Sequence, residues 1–241
     1  YHRAFKTSIA YNAKIYGIAF GYERIDPDFK TMGSYFFNND IINYTIAPSL
    51  RLFDQKLSIN ANVGIQKNNI QKQDISTVKR TLMSFNVNYM PSQKWNFAAQ
   101  YSNFIMYNRI STKFSQFNTL DSLNFYQVTE SANFNTAYNT GTKERKHSVN
   151  MNLSFQRANQ TQGENVTSNT SLFYNGNLSY RINLTPTSTT ISIGCNANQN
   201  TVGGIPSIAI GPSASLGKLF FEKALRTNLM VTYNTTYKEK K

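Results

Sequence analysis

The chain has 241 residues, 14% aromatic and 15% charged side chains, a formal net charge of +13 and a mean hydropathy of −0.45. Its length fits one all-β domain or two smaller ones, and its aromatic content argues against a disordered, merely solvated chain. No run approaches the roughly 18 apolar residues of a spanning helix, which excludes a transmembrane helix but not a transmembrane barrel, whose alternating strands keep mean hydropathy low.

The chain opens on strand-like "YHRAFKTSIAY" without a recognisable leader, which is no argument for the cytoplasm. Residues 25–40 form the first long connection. Its aromatics Phe29, Tyr35, Phe36 and Phe37 are too apolar for a purely solvated tip. They form either a docking surface for a partner or the lining of a barrel mouth. Asp26, Asp28 and Asp40 could meet there around calcium, but EF-hand-like spacing is missing and turn chemistry is the expected role. Next come "IAPSLRL" (46–52) and its echo "IGPSASL" (210–216). Each places a proline, Pro48 or Pro212, on the apolar parity, where a bulge or bend is expected.

The clearest strand is "LSINANVGIQ" (57–66), apolar at every odd position and polar or glycine between. Side chains on a strand alternate between faces, so one face is oily and the other wet. The same pattern returns at Met83–Tyr89, Val149–Phe155, Leu172–Tyr180, Ile191–Ile193 and Leu229–Tyr233. About twelve such segments are legible, most of them near or above the 9–11 residues of a tilted membrane strand. The expected fold is therefore all-β, an antiparallel up-and-down transmembrane β-barrel over residues 1–241, standing alone or within a barrel of 12–14 or more strands. Asn60, Asn62, Asn86, Asn88, Asn150 and Asn152 are assigned to the lumen, and Ile59, Val63, Phe85, Val149 and Leu153 to lipid.

Two further signals support a membrane rather than a soluble core. Short connections at 12–13, 53–56, 91–94, 141–146, 183–186 and 218–223 alternate with longer ones at 25–40, 69–79, 109–122, 161–167 and 200–205. Barrels with tight turns at one membrane face and longer loops at the other show this asymmetry. The wet face carries mostly Asn, Ser, Thr, Gln and Gly, with few charges such as Glu23, Arg51, Arg181 and Arg226. A solvent-facing sheet would carry more Lys and Glu. The aromatics Tyr22, Phe53, Tyr89, Trp95, Tyr138 and Tyr180 fall near strand ends, where headgroups would lie and where the polar edge of Tyr and Trp is favoured.

Chemistry-bearing residues are sparse. Cys195, the single cysteine, allows no internal disulfide and no CxxC metal site, and its parity makes it a small apolar side chain on the oily face. His2 and His147 have no serine and acid at a recognisable spacing, and no GxSxG occurs. "GGIP" (203–206) reads as a turn, not a phosphate cradle. No catalytic residue, metal ligand or cofactor is assigned. The basic residues gather at strand ends, which suggests anionic headgroups and lipopolysaccharide phosphates rather than nucleic acid.

"GYERIDPDFKTMGSYFFNND" (21–40), "IINYTIAPSLRLF" (41–53) and "VNYMPSQKWNFAAQYSNF" (87–104) resemble outer-membrane β-barrel proteins of the Bacteroidota. The resemblance implies a bacterial outer-membrane location and neighbouring outer-membrane or periplasmic proteins. In that group such barrels are parts of longer proteins or subunits of machines for secretion, nutrient uptake or barrel assembly. No TonB box or plug is visible, and Lys241 replaces the terminal aromatic usual in such barrels, so an incomplete end is expected. Three functions follow: a barrel anchoring or serving an outer-membrane complex, a porin-like passive channel, and, more weakly, an outer-membrane enzyme. The first is preferred, and no enzymatic activity is expected.

Overall fold

The computed structural model describes residues 3–30, 39–110, 124–162, 169–221 and 224–238. Every regular element among them is a β-strand. In chain order these are β1 (Ala4–Asn12), β2 (Tyr16–Ile25), β3 (Ile41–Leu52), β4 (Leu57–Asn68), β5 (Ser76–Ser92), β6 (Trp95–Ile110), β7 (Phe125–Gly141), β8 (Arg145–Gln162), β9 (Asn169–Leu184), β10 (Thr189–Val202), β11 (Ile205–Phe220), β12 (Leu225–Thr232) and β13 (Thr235–Lys238). They form one antiparallel up-and-down sheet whose order follows the chain, with β13 paired to β11. The period-two alternation dictates this: on a helix the same apolar residues would scatter around the circumference and bury no stripe. Strand length exceeds ordinary practice. β7 has 17 residues and β8 has 18, against about 5–6 in globular proteins.

The backbone divides into two compact units. The first comprises Tyr1–Asn86, Tyr101–Glu130 and Arg157–Thr170; the second comprises Val87–Gln100, Ser131–Gln156 and Ser171–Lys241. In the first, β1 to β4 pair in register, from Ala4 opposite Ile25 to Leu52 opposite Leu57. In the second, β10 pairs along its whole length with both β9 and β11.

The prolines act differently from the expected bulge. On the β4 side of Pro48, Ile46 faces Val63 and Ser49 faces Asn60, so the ladder is interrupted but the register does not shift. On the outer side of Pro212, Ser213 faces Thr232 and Ile210 faces Thr235, again without a shift. A bulge would insert a residue and offset everything beyond it. Here each proline only lacks the N–H that would have bridged to its neighbour. β12 and β13 are thus one strand broken opposite Pro212, and the sheet has twelve strands in effect.

One connection also differs. The expected long link at 200–205 is a tight turn: Val202 pairs with Ile205, and only Gly203 and Gly204 lie between them. Both glycines have positive φ, 59° and 79°, the requirement of a two-residue hairpin whose twist matches its strands. The alternation of short and long connections therefore ends at β10.

Candidate functional site

The distribution of apolar side chains defines the candidate functional surface. Among the described residues, the buried hydrophobic side chains are Ile25 and Ile110, and no apolar core exists beyond them. Large apolar side chains lie open instead: Ile9 is 72% exposed, Leu229 66% and Ile193 58%. In β10 and β11 the apolar Ile191, Ile193, Ala214 and Leu216 are exposed, while the polar-parity Ser192, Gly194, Ser213 and Ser215 are partly buried. A protein folded in water does the reverse.

In the first unit, strand register aligns Ile9, Phe20, Ile46 and Val63 in one apolar row. These residues line a hollow of about 390 Å³ together with Tyr44 and Ile65. Tyr22 closes the row at the long-loop end, with ring centroids 6.0 Å from Phe5 and 5.3 Å from Tyr44; Tyr11 and Tyr16 meet at 5.9 Å at the other end. The opposite face holds Ser8, Gly21, Thr45 and Gly64 in one row, and Asn12, Gly17, Ser49 and Asn60 in another. Ile59 sits across from Leu50 on the apolar parity. In β4, exposure alone does not separate the faces: Asn60 and Asn62 are exposed, while Ile59 and Val63 are half-buried.

In the second unit, Tyr180, Ile193, Ala214 and Val231 form one apolar row, and Leu178, Cys195 and Pro212 another, so the exposed cysteine belongs to the oily face. Trp95 stacks on Phe97 at 5.4 Å and meets Tyr138 at 4.6 Å. The His147 Nδ1 lies 2.8 Å from the Tyr180 hydroxyl, on the apolar parity, as part of this aromatic band. Val149 (40% exposed) and Leu153 (46%) lie on the same parity. On the polar parity the Asn152 amide donates to Asn135, and Asn150, Asn152, Asn96 and Asn177 line a small hollow. Phe85 and Asn86, at the end of the first unit, are exposed and half-buried respectively; Asn88, in the second, is exposed.

The sequence reading missed two features. The first is a polar cluster on the apolar parity of β6, β7 and β8. Glu130 accepts hydrogen bonds from the Tyr101 hydroxyl and the Asn103 amide, each at 3.3 Å, and its other oxygen lies 3.6 Å from an Arg157 guanidinium nitrogen. Asn103 is 7% exposed, and its Oδ1 has no hydrogen-bond partner among the described residues. The signal was available, since Glu130 and Arg157 each interrupt an apolar parity.

The second is Asn69, 2% exposed and at φ 55°. Its amide donates to the carbonyls of Asp74 and Ser76 and to the Thr77 hydroxyl, and its Oδ1 accepts from Asp74 N–H. This one side chain closes the connection between β4 and β5. We expect Asn69→Ala to cost about 2–3 kcal/mol, from several bonds worth about 1 kcal/mol each and an alanine less tolerant of positive φ. Hydrogen exchange at the Asp74 amide should accelerate by at least tenfold; an unchanged rate would remove the role.

Asp40 joins that connection to the preceding one, because its Oδ1 accepts from Ile70 N–H at 2.8 Å. Asp26 accepts from the Arg24 side chain at 2.9 Å and from Arg3 N–H at 3.2 Å. Asp28 and Asp40 both have φ of 56°, as turn residues do. These carboxylates, weighed for calcium and expected in turn roles, serve turns and strand ends. Phe29 is half-buried, with its N–H donating to the Asp26 carbonyl at 3.3 Å. Tyr35, Phe36 and Phe37 lie outside the described residues.

No protein-family model, curated protein or solved structure matches the chain.

Proposed function

We propose that the chain is an integral β-barrel of a bacterial outer membrane and serves as a membrane subunit or anchor of a larger assembly for secretion, uptake or barrel assembly. The observation that carries this reading is the inverted β10–β11 pair, with open Ile, Ala and Leu on one face and partly buried Ser and Gly on the other, together with the large apolar side chains left exposed on other strands. Lipid solvates the first face, and water or mutual hydrogen bonding satisfies the second. Hydrocarbon tolerates no unpaired strand edge. β1 and β12, which pair on one side among the described residues, would therefore be matched in the membrane, by each other or by further strands.

The anchoring role is supported by the long-loop end, where Asp26, Asp40 and Asn69 hydrogen-bond the described parts of two connections to neighbouring backbone. Lipopolysaccharide and neighbouring outer-membrane or periplasmic proteins are the partners this end would meet. A passive channel is the second reading, favoured by the neutral hydrogen-bonding side chains of the polar face. Purification tests the membrane assignment. The protein should require detergent and migrate as a compact species until heated, and a monodisperse protein in plain buffer would refute the assignment. Co-purification from native membranes separates the two tasks, since an anchor brings named partners in fixed ratio and a free channel does not.

A further inference from the structure

We propose that Lys146, Arg181 and Arg226 form a binding site for a small oxyanion, such as a phosphate, on the polar face of the second unit. The proposal rests on reading that face as water-accessible in the membrane.

The three cations come from β8, β9 and β12 and line one hollow of about 650 Å³ near the short turns. Register explains the convergence. Arg181 lies opposite Ser192, which lies opposite Ser215, and the two serine hydroxyls are 2.5 Å apart. One row nearer the turns, Asn183, Thr190, Gly217 and Asn228 align, and Arg226 follows opposite Leu219. All of these side chains share the polar parity. No carboxylate lines the hollow, and none pairs with these three cations among the described residues. By contrast, Lys6, Arg24 and Arg157 each have a carboxylate partner.

Like charges gathered on one surface repel, and a bound anion relieves that repulsion. The donor set suits an oxyanion: guanidinium forks match two oxygens at once, while hydroxyls and amides supply single donors to the others. Lys218 also borders the hollow, but its side chain belongs to the other face. It lies on the apolar parity with its Nζ 5.1 Å from the Phe220 ring centroid, where lipid phosphate would reach it. Arg181 and Arg226 lie on the polar face. The sequence reading already set Arg181 and Arg226 on the wet face, and it counted Lys146, Lys218 and Arg226 among the strand-end charges near headgroups; the register separates Lys218 from the two arginines.

The test is a ³¹P NMR titration of inorganic phosphate with the full chain in a phosphate-free detergent. Saturable line broadening is expected, with at least a tenfold loss of affinity in Arg181→Gln/Arg226→Gln and none in Lys56→Gln, a cation of the β3–β4 turn in the first unit. The charge-preserving Arg181→Lys/Arg226→Lys variant should bind between the wild type and the double Gln variant, since it keeps the charge and loses the forks, and matched far-UV spectra exclude misfolding as the cause. Phosphatidylglycerol in mixed micelles at equal phosphate concentration should not compete, because a headgroup cannot enter the polar face. No broadening by the wild-type chain, equal binding by the double Gln variant, or displacement by the lipid would each overturn the proposal. A chain that needs detergent yet ignores phosphate loses this site and keeps its membrane assignment; one that binds phosphate without needing detergent does the opposite.

Discussion

Val63→Arg is expected to destabilise the folded protein in lipid vesicles by roughly 2–4 kcal/mol, while Asn62→Arg, one residue away, should cost no more than about 0.5 kcal/mol. The contrast follows from position alone. Val63 stands opposite Ile46 in the row that continues through Phe20 and Ile9, and that row is apolar from β1 to β4. Near the middle of β4 the cation would have to snorkel out of hydrocarbon or draw water in. Asn62 is exposed on the polar parity, where a longer cationic side chain can remain hydrated. Denaturant titration of refolding into vesicles measures both. Equal small costs would indicate water on both faces, and the opposite order would mean that the faces are exchanged.

The strands were legible because alternation survives almost intact over long segments, and β4 needed no tertiary information. The connections were less legible. Turn length depends on where pairing stops, so "NTVGGI" looked like a longer link until Val202 and Ile205 were seen to pair. The prolines misled for a related reason. A missing N–H and an inserted residue look alike in sequence, and only the register beyond Pro48 and Pro212 tells them apart. Asn69 was hidden because an asparagine in a polar loop ordinarily marks a solvated turn. Its role depends on Asp74, Ser76 and Thr77 folding back over it. The basic hollow was illegible too, since Lys146, Arg181 and Arg226 are far apart in the chain and converge only through the sheet.

The Glu130–Arg157 pair gives the sharpest test of which solvent the apolar face meets, because the worth of an ion pair depends on its surroundings. An exposed pair in water contributes about 0–1 kcal/mol. Removing one partner of a buried pair costs about 3–5 kcal/mol, because the other charge is left desolvated. On β6, Asn103 stands eight residues from Trp95 and four from Tyr107, whose ring lies 6.2 Å from that of Tyr126 on β7. At about 3.3 Å per residue and a tilt near 45°, Asn103 would lie roughly 9 Å inside the long-loop aromatic band. In the proposed membrane setting, Glu130, which accepts from that Asn103 amide, would then lie within hydrocarbon though not at its centre. Arg157→Met should therefore cost roughly 2–4 kcal/mol, between the two limits. Adding Glu130→Gln should recover most of the loss, because the amide keeps an acceptor for Tyr101 and Asn103 without the charge. Refolding equilibria in vesicles for the four members of this cycle give the coupling directly. A coupling below about 1 kcal/mol would place the pair in water, and this part of the apolar face would then not be lipid-facing.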